Sequence, residues 1–550
     1  MSFKEFAKSK AFVAILMSVV AIVYVTQISN VFDRKFDLNG DNILYYTLAQ
    51  SLSSGNGYSL IFGLDEPTPH MHFPPGYPAF ISVLMRLGID TVLQIKIVNC
   101  ILLLAAILLL FLIMRKIGCK PIFSAIVCIL ISCHAEVLRW ASMMMSEQLF
   151  LVVNMLIVYL ICGLDLENIF KKSAWKAWIR ILVIGLLAGY SYLIRTMGTS
   201  MTVAVLAWCA VMALKVLIMK SGKRNWRKAA GYGVLALVVL FSFIGMRGAW
   251  NARNQRISPG FKSDYVGDFN KKPGGQTMDS LSDWVERAGS NFKSYITYYI
   301  PDSVFEKKAE IGDNEAGVMA WAGGFVLFLL IVLGMFTVSD AGLLILFYCG
   351  VTFAVLLVWP EQYSGLRYFI TLIPLLIFGL CRGLYVTVGF ISKKIKGREI
   401  EFLSLASIVV LLFIVIPRYE EAQGYYHNVA KIKKWKDTGN AGIQQYALAS
   451  EWMGKNLPED ARVICRKPEL FYMLSGYRHA NGFPQYATPE EIMEMIDRDN
   501  VEYIILDVMY IHAYRTVYPA IQKYPDRFRF IKSWSDDQGS IPTLLVQVLR

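Results

Sequence analysis

The sequence predicts a polytopic α-helical membrane protein of about eleven transmembrane helices with a C-terminal extracytoplasmic α/β domain. Three observations carry this. First, the 550 residues are 55% apolar and only 18% charged, with a mean hydropathy of +0.44, whereas soluble domains run at ~45–50% apolar with about a quarter charged. Second, the excess lies in runs. Residues 15–25, 101–113 and 403–416 hold almost nothing polar, and with their flanks they reach the ~17–25 residues that cross a hydrocarbon core. Third, alternate connections between the runs are basic. Disorder, a secreted disulfide scaffold and a single soluble catalytic domain are excluded by this pattern.

In chain order the apolar stretches place helices at about 11–30, 92–114, 121–134, 147–163, 179–195, 199–219, 229–249, 317–335, 341–359, 367–391 and 402–417. The first is longer than the ~7–15 residues of a signal core and lacks an A-x-A-like cleavage site, so it reads as a span. Lys4, Lys8 and Lys10 precede it; Arg115, Lys116 and Lys120 follow the second span, and Lys171, Lys172, Lys176 and Arg180 the fourth. Lys215, Lys220, Lys223, Arg224, Arg227 and Lys228 follow the sixth, and Lys393, Lys394, Lys396 and Arg398 the tenth. Every second connection is therefore basic, except the short one at Asp340, and this places the N-terminus and that set of connections in the cytoplasm. The formal charge of +13 could signal a polyanionic partner, but the segments assigned to the cytoplasm hold 20 basic and 6 acidic of the chain's 55 and 42. The remainder is balanced, so the charge reports topology and no nucleic acid is expected.

Three outward connections are too long for linkers: residues 31–91, residues 250–316 and the tail. The expected division is a membrane domain, 1–417, and an outer domain, 418–550. In the tail a helix is expected at 442–456, and strands at 462–465, 502–506, 527–531 and 544–549. Thr488-Pro489-Glu490-Glu491 opens a further helix with capping-box spacing. The nine cysteines form no CxxC pair or outer cluster, so they read as small core residues. Pro273-Gly274-Gly275 reads as a turn, lacking the strand-to-helix setting of a phosphate cradle. No repeat of 20–50 residues is visible, which weighs against an inverted-repeat transporter.

The first outer loop is the most informative segment. Asp41 opens a helix that carries Tyr45 one turn later, with Ala49 and Leu52 continuing that side, and Gly55-Asn56-Gly57 ends it. His72-Phe73-Pro74-Pro75-Gly76-Tyr77-Pro78 then enters a second, short amphipathic helix. Taken alone, Asp41 is as well explained as a helix cap, and His70 and His72 as plain loop residues.

The order Asp, Tyr, Ala-x-x-Leu, Gly-x-Gly-Tyr and Pro-Pro-Gly-Tyr-Pro resembles the first periplasmic loop of the GT-C glycosyltransferases, most nearly the branch of the protein O-mannosyltransferases and the lipid A aminoarabinose transferase. Ser146-Glu147 is similar to their Ser-Glu helix start, Ile194-Arg195 to their helix-ending arginine, and Arg367-Tyr368 with Pro374 to their Arg-Tyr…Pro entry. The sequence departs from the branch at Asn42, where mannosyltransferases carry Glu, and at His72-Phe73-Pro74, where the aminoarabinose transferase has Glu-Lys-Pro.

The resemblance implies a GT-C-like enzyme of the cytoplasmic (inner) membrane. It would move a hexose or pentose from a polyprenyl-phosphate carrier to a lipid, polysaccharide or protein acceptor on the outer side. It implies Asp41 as general base, with Tyr45, His72, Glu147, Arg195, Arg367 and Tyr368 around the donor phosphate and sugar. Guanidinium forks suit phosphate oxygens, although an arginine at a helix end is otherwise an interfacial anchor and Glu147 otherwise a complement to its helix dipole. Arg247, Arg253 and Arg256 could meet phosphate or solvate their loop. No cofactor is required; Asp41 with His72 could hold a divalent cation. The competing readings are a transporter or flippase for lipid-linked glycans, which calls for charges buried mid-span, and a glycan polymerase or ligase moving whole oligosaccharides.

Overall fold

A computed structural model describes residues 9–38, 40–171, 173–218, 225–262, 269–272, 277–306, 317–361, 365–398, 400–509, 512–535 and 539–550. Pro273-Gly274-Gly275 and the basic residues Lys4, Lys8, Lys172, Lys220, Lys223 and Arg224 lie outside them.

Among the described residues, eight helices are long and apolar enough to cross a membrane, from Lys10–Val31 to Glu401–Lys431, and a ninth span is the bent pair Pro121–Cys133 and Ala135–Ala141. Glu147–Ile161 and Leu343–Val358 are shorter apolar helices. All eleven expected segments are thus helical, and the chain is a polytopic helical membrane protein with an α/β region in its tail. Two helices outrun their apolar stretches. Trp226–Ile257 and Glu401–Lys431 continue as polar helix, because nothing after their apolar runs breaks a helix. Pro417 lies inside the latter; it removes one backbone donor without ending the helix. The third expected span breaks at His134, where the chain turns by 67°.

The chain forms two compact units. The first comprises Met1–Phe32, Met71–Tyr77 and Lys96–His427, and contains the spans. Its helices meet closely where glycine permits: a Cβ on Gly383 would lie 2.0 Å from the Leu330 carbonyl oxygen, and one on Gly324 2.0 Å from that of Ile296.

The second unit comprises Asp33–His70, Pro78–Ile95 and Asn428–Arg550, so most of the connection 31–91 folds with the tail. In chain order its strands are β1 (Ser59–Leu60), β2 (Thr68–Pro69), β3 (Val463–Ile464), β4 (Ala480–Asn481), β5 (Tyr503–Leu506), β6 (Phe528–Trp534) and β7 (Thr543–Val548). β1 and β2 form a hairpin; the others form one sheet of order β4-β3-β5-β7-β6. β3 runs parallel to β4 and β5, and the β5–β7 and β6–β7 pairs are antiparallel. Helix Pro489–Arg498 starts at the Thr488/Glu491 capping box, as its spacing predicts. The loop is stitched to the tail by polar contacts. The Ala480 amide donates to the Phe62 carbonyl at 2.9 Å, the Leu64 amide to Asn481 Oδ1 at 3.0 Å, and Arg462 pairs with Asp65 at 3.0 Å. Buried Lys35 donates to Asp33 at 2.9 Å and to the Val429 carbonyl at 3.0 Å. Its charge is compensated within the unit, as burial of an ammonium requires.

Candidate functional site

In the membrane unit the proline-rich segment is locked in place by its last two residues. A Cβ on Gly76 would lie 2.5 Å from the Leu193 carbonyl carbon and 2.6 Å from the Ile194 nitrogen. Backbone atoms cannot give way there, so only glycine fits. The Tyr190 hydroxyl donates to the Gly76 carbonyl at 3.0 Å. Tyr77 is fully buried and is hydrogen-bonded to Asn99, whose amide also donates to the Met143 and Met145 carbonyls at 2.8 and 3.0 Å. One amide therefore ties the Pro-Pro-Gly-Tyr segment to the turn that delivers Ser146 and Glu147, and Gly76 rests on the helix end that delivers Arg195.

Glu147 opens helix Glu147–Ile161 and is 1% exposed. Arg195 ends Trp175–Ile194 in extended backbone; its Nη1 lies 2.6 Å from Glu147 Oε1 and donates to Ser146 Oγ at 2.9 Å. Arg367, on the single turn Leu366–Phe369, brings its Nε to 3.7 Å from the same carboxylate oxygen. Its guanidinium lies over the Trp140 ring at 5.7 Å, a cation–π contact. Tyr368 packs on Trp359, ring centroids 5.9 Å apart. Further inside the bundle, Ser191 donates to Asn154 at 2.8 Å and Asn154 to the Tyr348 hydroxyl at 3.2 Å, which fixes the helices bearing Arg195 and Glu147 against each other.

A cavity of about 670 Å³ in the same unit is lined by His72, Tyr192, Thr196, Arg247, Trp250, Asn254, Lys262 and Trp359, among others. Its described lining carries two cations and no carboxylate. Thr196 follows Arg195 in the chain and Trp359 packs on Tyr368, so the cavity adjoins the Glu147 cluster. Arg253 takes a supporting part: it lies over Trp250 at 5.1 Å and donates to Asn254 at 2.8 Å, while Asn254 donates to the Met71 carbonyl at 3.2 Å. Arg256 is exposed.

Asp41 and Tyr45 belong to the second unit. Asp41 stands in the first turn of helix Gly40–Ser53, and Tyr45 is buried one turn on. Asn42, where the protein O-mannosyltransferases carry Glu, is 1% exposed and donates to the Asp37 carbonyl at 3.0 Å. A carboxylate could not supply that donor. Tyr46 donates to the Asp90 carbonyl at 2.9 Å, and burial pushes its phenol pKa well up. Gly55 and Gly57 take left-handed φ of 87° and 74°, ending the helix where glycine is preferred.

No protein-family model and no curated relative matches the sequence. Solved structures do match. The archaeal oligosaccharyltransferase AglB from Archaeoglobus fulgidus, in complex with an inhibitory peptide and a dolichol-phosphate, superposes with a TM-score of 0.57 at 12% identity, over 97% of this chain and 74% of AglB. ArnT from Cupriavidus metallidurans, bound to undecaprenyl phosphate, gives 0.55 at 11% identity, over 98% of both chains. The chain has the GT-C fold.

Within that fold, Glu147, Arg195 and Arg367 come together, Tyr368 stands beside them, and His72 lines the adjoining cavity. Asp41 and Tyr45 share one helix of the other unit. Among the described residues no group of three or more His, Cys, Asp or Glu is arranged to hold a metal ion. Trp140, Asn99 and Lys262 were not legible as site residues in the sequence. Their parts depend on contacts between segments tens to hundreds of residues apart, and a Trp or Asn beside an apolar run carries no motif of its own.

Proposed function

We propose that the protein is a membrane glycosyltransferase that moves a monosaccharide from a polyprenyl-phosphate carrier to an acceptor hydroxyl outside the cytoplasmic membrane. The acceptor oxygen attacks the anomeric carbon, the bond from that carbon to the phosphate oxygen breaks, the acceptor proton passes to Asp41, and polyprenyl phosphate departs. The observation that carries this reading is the convergence of three segments far apart in the sequence on one buried carboxylate. Glu147 orients the two guanidiniums, and with Arg195 and Arg367 both charged the cluster is net positive, suited to a leaving phosphate. Arg247 and Lys262 extend the positive field across the neighbouring cavity, where His72, Tyr192 and Trp250 offer the donors and ring faces that a phosphosugar uses. Tyr45 and Tyr368 are assigned supporting contacts. The dolichol-phosphate and undecaprenyl phosphate bound by the two structures of this fold support a carrier of that class.

The membrane domain is assigned to 1–417, with the N-terminus cytoplasmic and the domain from 418 outside, on the alternation of basic connections. Replacing Arg367 by Ala should raise the KM for a polyprenyl-phosphate sugar by about tenfold or more, as expected for loss of a charge-assisted contact, and leave the acceptor KM within about twofold. Equal effects on both would make Arg367 structural. Product masses in the same assay separate a single added sugar from the block transfer of a ligase, the reading that the likeness to an oligosaccharyltransferase keeps open.

A further inference from the structure

The carboxyl ends of parallel strands are where an open α/β sheet ordinarily receives a ligand, at the point where neighbouring connections diverge. In the outer unit that point lies at β3 and β5, since the chain leaves β3 for β4 on one side and returns to β5 on the other. Cys465, Arg466 and Lys467 follow β3, and Asp507 follows β5. Cys465 is fully buried, Asp507 is 1% exposed and Glu469 8% exposed. The buried Tyr446 hydroxyl donates to the Lys467 carbonyl at 3.0 Å, and Lys467 pairs with Glu469 at 3.4 Å.

This edge receives the start of the helix that bears Asp41. A Cβ on Gly40 would lie 2.7 Å from Glu469 Oε1 and 3.5 Å from Lys467 Nζ. Three residues on, Ile43 is fully buried in a core with Tyr446, Val463, Cys465, Leu470 and Phe471. The Asp41 turn is thus clamped from two sides, by an apolar plug into the tail and by an ion pair against the glycine that precedes the aspartate. The Lys467–Glu469 pair stands at the start of helix Pro468–Leu474, just after β3, and the absence of a side chain at residue 40 lets it approach the helix backbone directly.

We infer that the tail is a positioning scaffold for Asp41: Glu469 and Lys467 set where the first turn of its helix sits, and through it the carboxylate. They are positioning residues and do not touch the reacting atoms. The inference rests on the reading of Asp41 as the base, and it assigns the tail a part in the reaction that its sequence does not announce.

The test uses the full-length protein in native membranes and two measurements. Amide exchange should speed up at least tenfold in residues 40–53 of Glu469→Ala, while β5 and β7 keep their wild-type protection. Release of polyprenyl phosphate from a mixture of polyprenyl-phosphate hexoses and pentoses, followed by mass spectrometry, should fall about tenfold in kcat with the donor KM unchanged. Glu469→Asp should recover part of that loss. Gly40→Ala should also lose kcat. Combined with Glu469→Ala it should lose less than the sum of the two, because the added methyl then has space. Unchanged exchange in residues 40–53 overturns the inference, as does faster exchange with unchanged kcat, or a strictly additive pair. Asp41→Asn is the separate control: full turnover by that variant removes the base itself, whatever Glu469 does.

Discussion

Glu147 is a carboxylate inside a membrane protein, and its two arginines make that tolerable. Burying an ion costs several kcal/mol, recovered only by close, well-placed partners. Arg195 lies 2.6 Å from the Glu147 carboxylate and Arg367 3.7 Å. Arg195→Ala should therefore destabilise the protein by about 3–5 kcal/mol, measured by denaturant unfolding in detergent. Arg195→Ala combined with Glu147→Gln should cost clearly less than Arg195→Ala alone, since no buried charge is then left unpaired. Equal losses would mean that the carboxylate is solvated and the ion pair incidental. At this scale it was the resemblance that singled out Pro-Pro-Gly-Tyr, Ser-Glu, Ile-Arg and Arg-Tyr, since each motif is weak alone and carries weight only by its order and spacing with the others. That they meet depends on Asn99, an amide on an apolar helix whose three hydrogen bonds cannot be read from its neighbours.

At the scale of elements, apolar length and capping chemistry predicted what formed, and polar continuation was what they missed. Helices Trp226–Ile257 and Glu401–Lys431 were expected to stop with their apolar runs, because hydropathy reports the membrane and not the helix. The short helix Pro468–Leu474 and strand β4 were not predicted either; their packing in the tail, and not a local pattern, decides them. Helix Leu281–Ser294 in the second outer loop begins at a capping box in which Asp283 serves Ser280. The hydrogen bond from Lys272, with those from the Ser280 and Asp279 amides, holds the Asp283 carboxyl down to about 2, against an ordinary value of 3.8. A carboxyl whose folded pKa lies below its unfolded one stabilises above the unfolded value and loses that contribution as pH falls through the folded value. Amide exchange, corrected for its intrinsic pH dependence, should therefore show residues 281–294 losing protection between pH ~4 and ~2. Asp283→Asn should show reduced protection already at neutral pH and little further loss; a wild-type-like acid transition in that variant would contradict the assignment.

At the scale of the whole molecule, the second unit joins residues 33–70 and 78–95 to the tail. If a compact unit of that kind lies on one side of a membrane, the chain crosses an even number of times between Asp33 and Asn428. Ten helical segments lie in that interval if the bent pair counts once and the shorter helices Glu147–Ile161 and Leu343–Val358 are both crossings. That even count agrees with the eleven spans expected from the apolar runs. Hydropathy made the helical spans legible from the sequence, while the joining of loop and tail was not, because it depends on Ile43 and Phe36 packing into a core whose main residues lie more than 400 positions away. The central claim is that Asp41 takes the acceptor proton as the sugar leaves a polyprenyl phosphate. Its most direct test is the rate of polyprenyl phosphate release by the purified protein in liposomes with cell-envelope lipids as acceptor. Asp41→Asn should lower that rate by a factor of ~10²–10⁴, the usual worth of a general base, with amide exchange unchanged across residues 40–53; release at the wild-type rate would contradict the account.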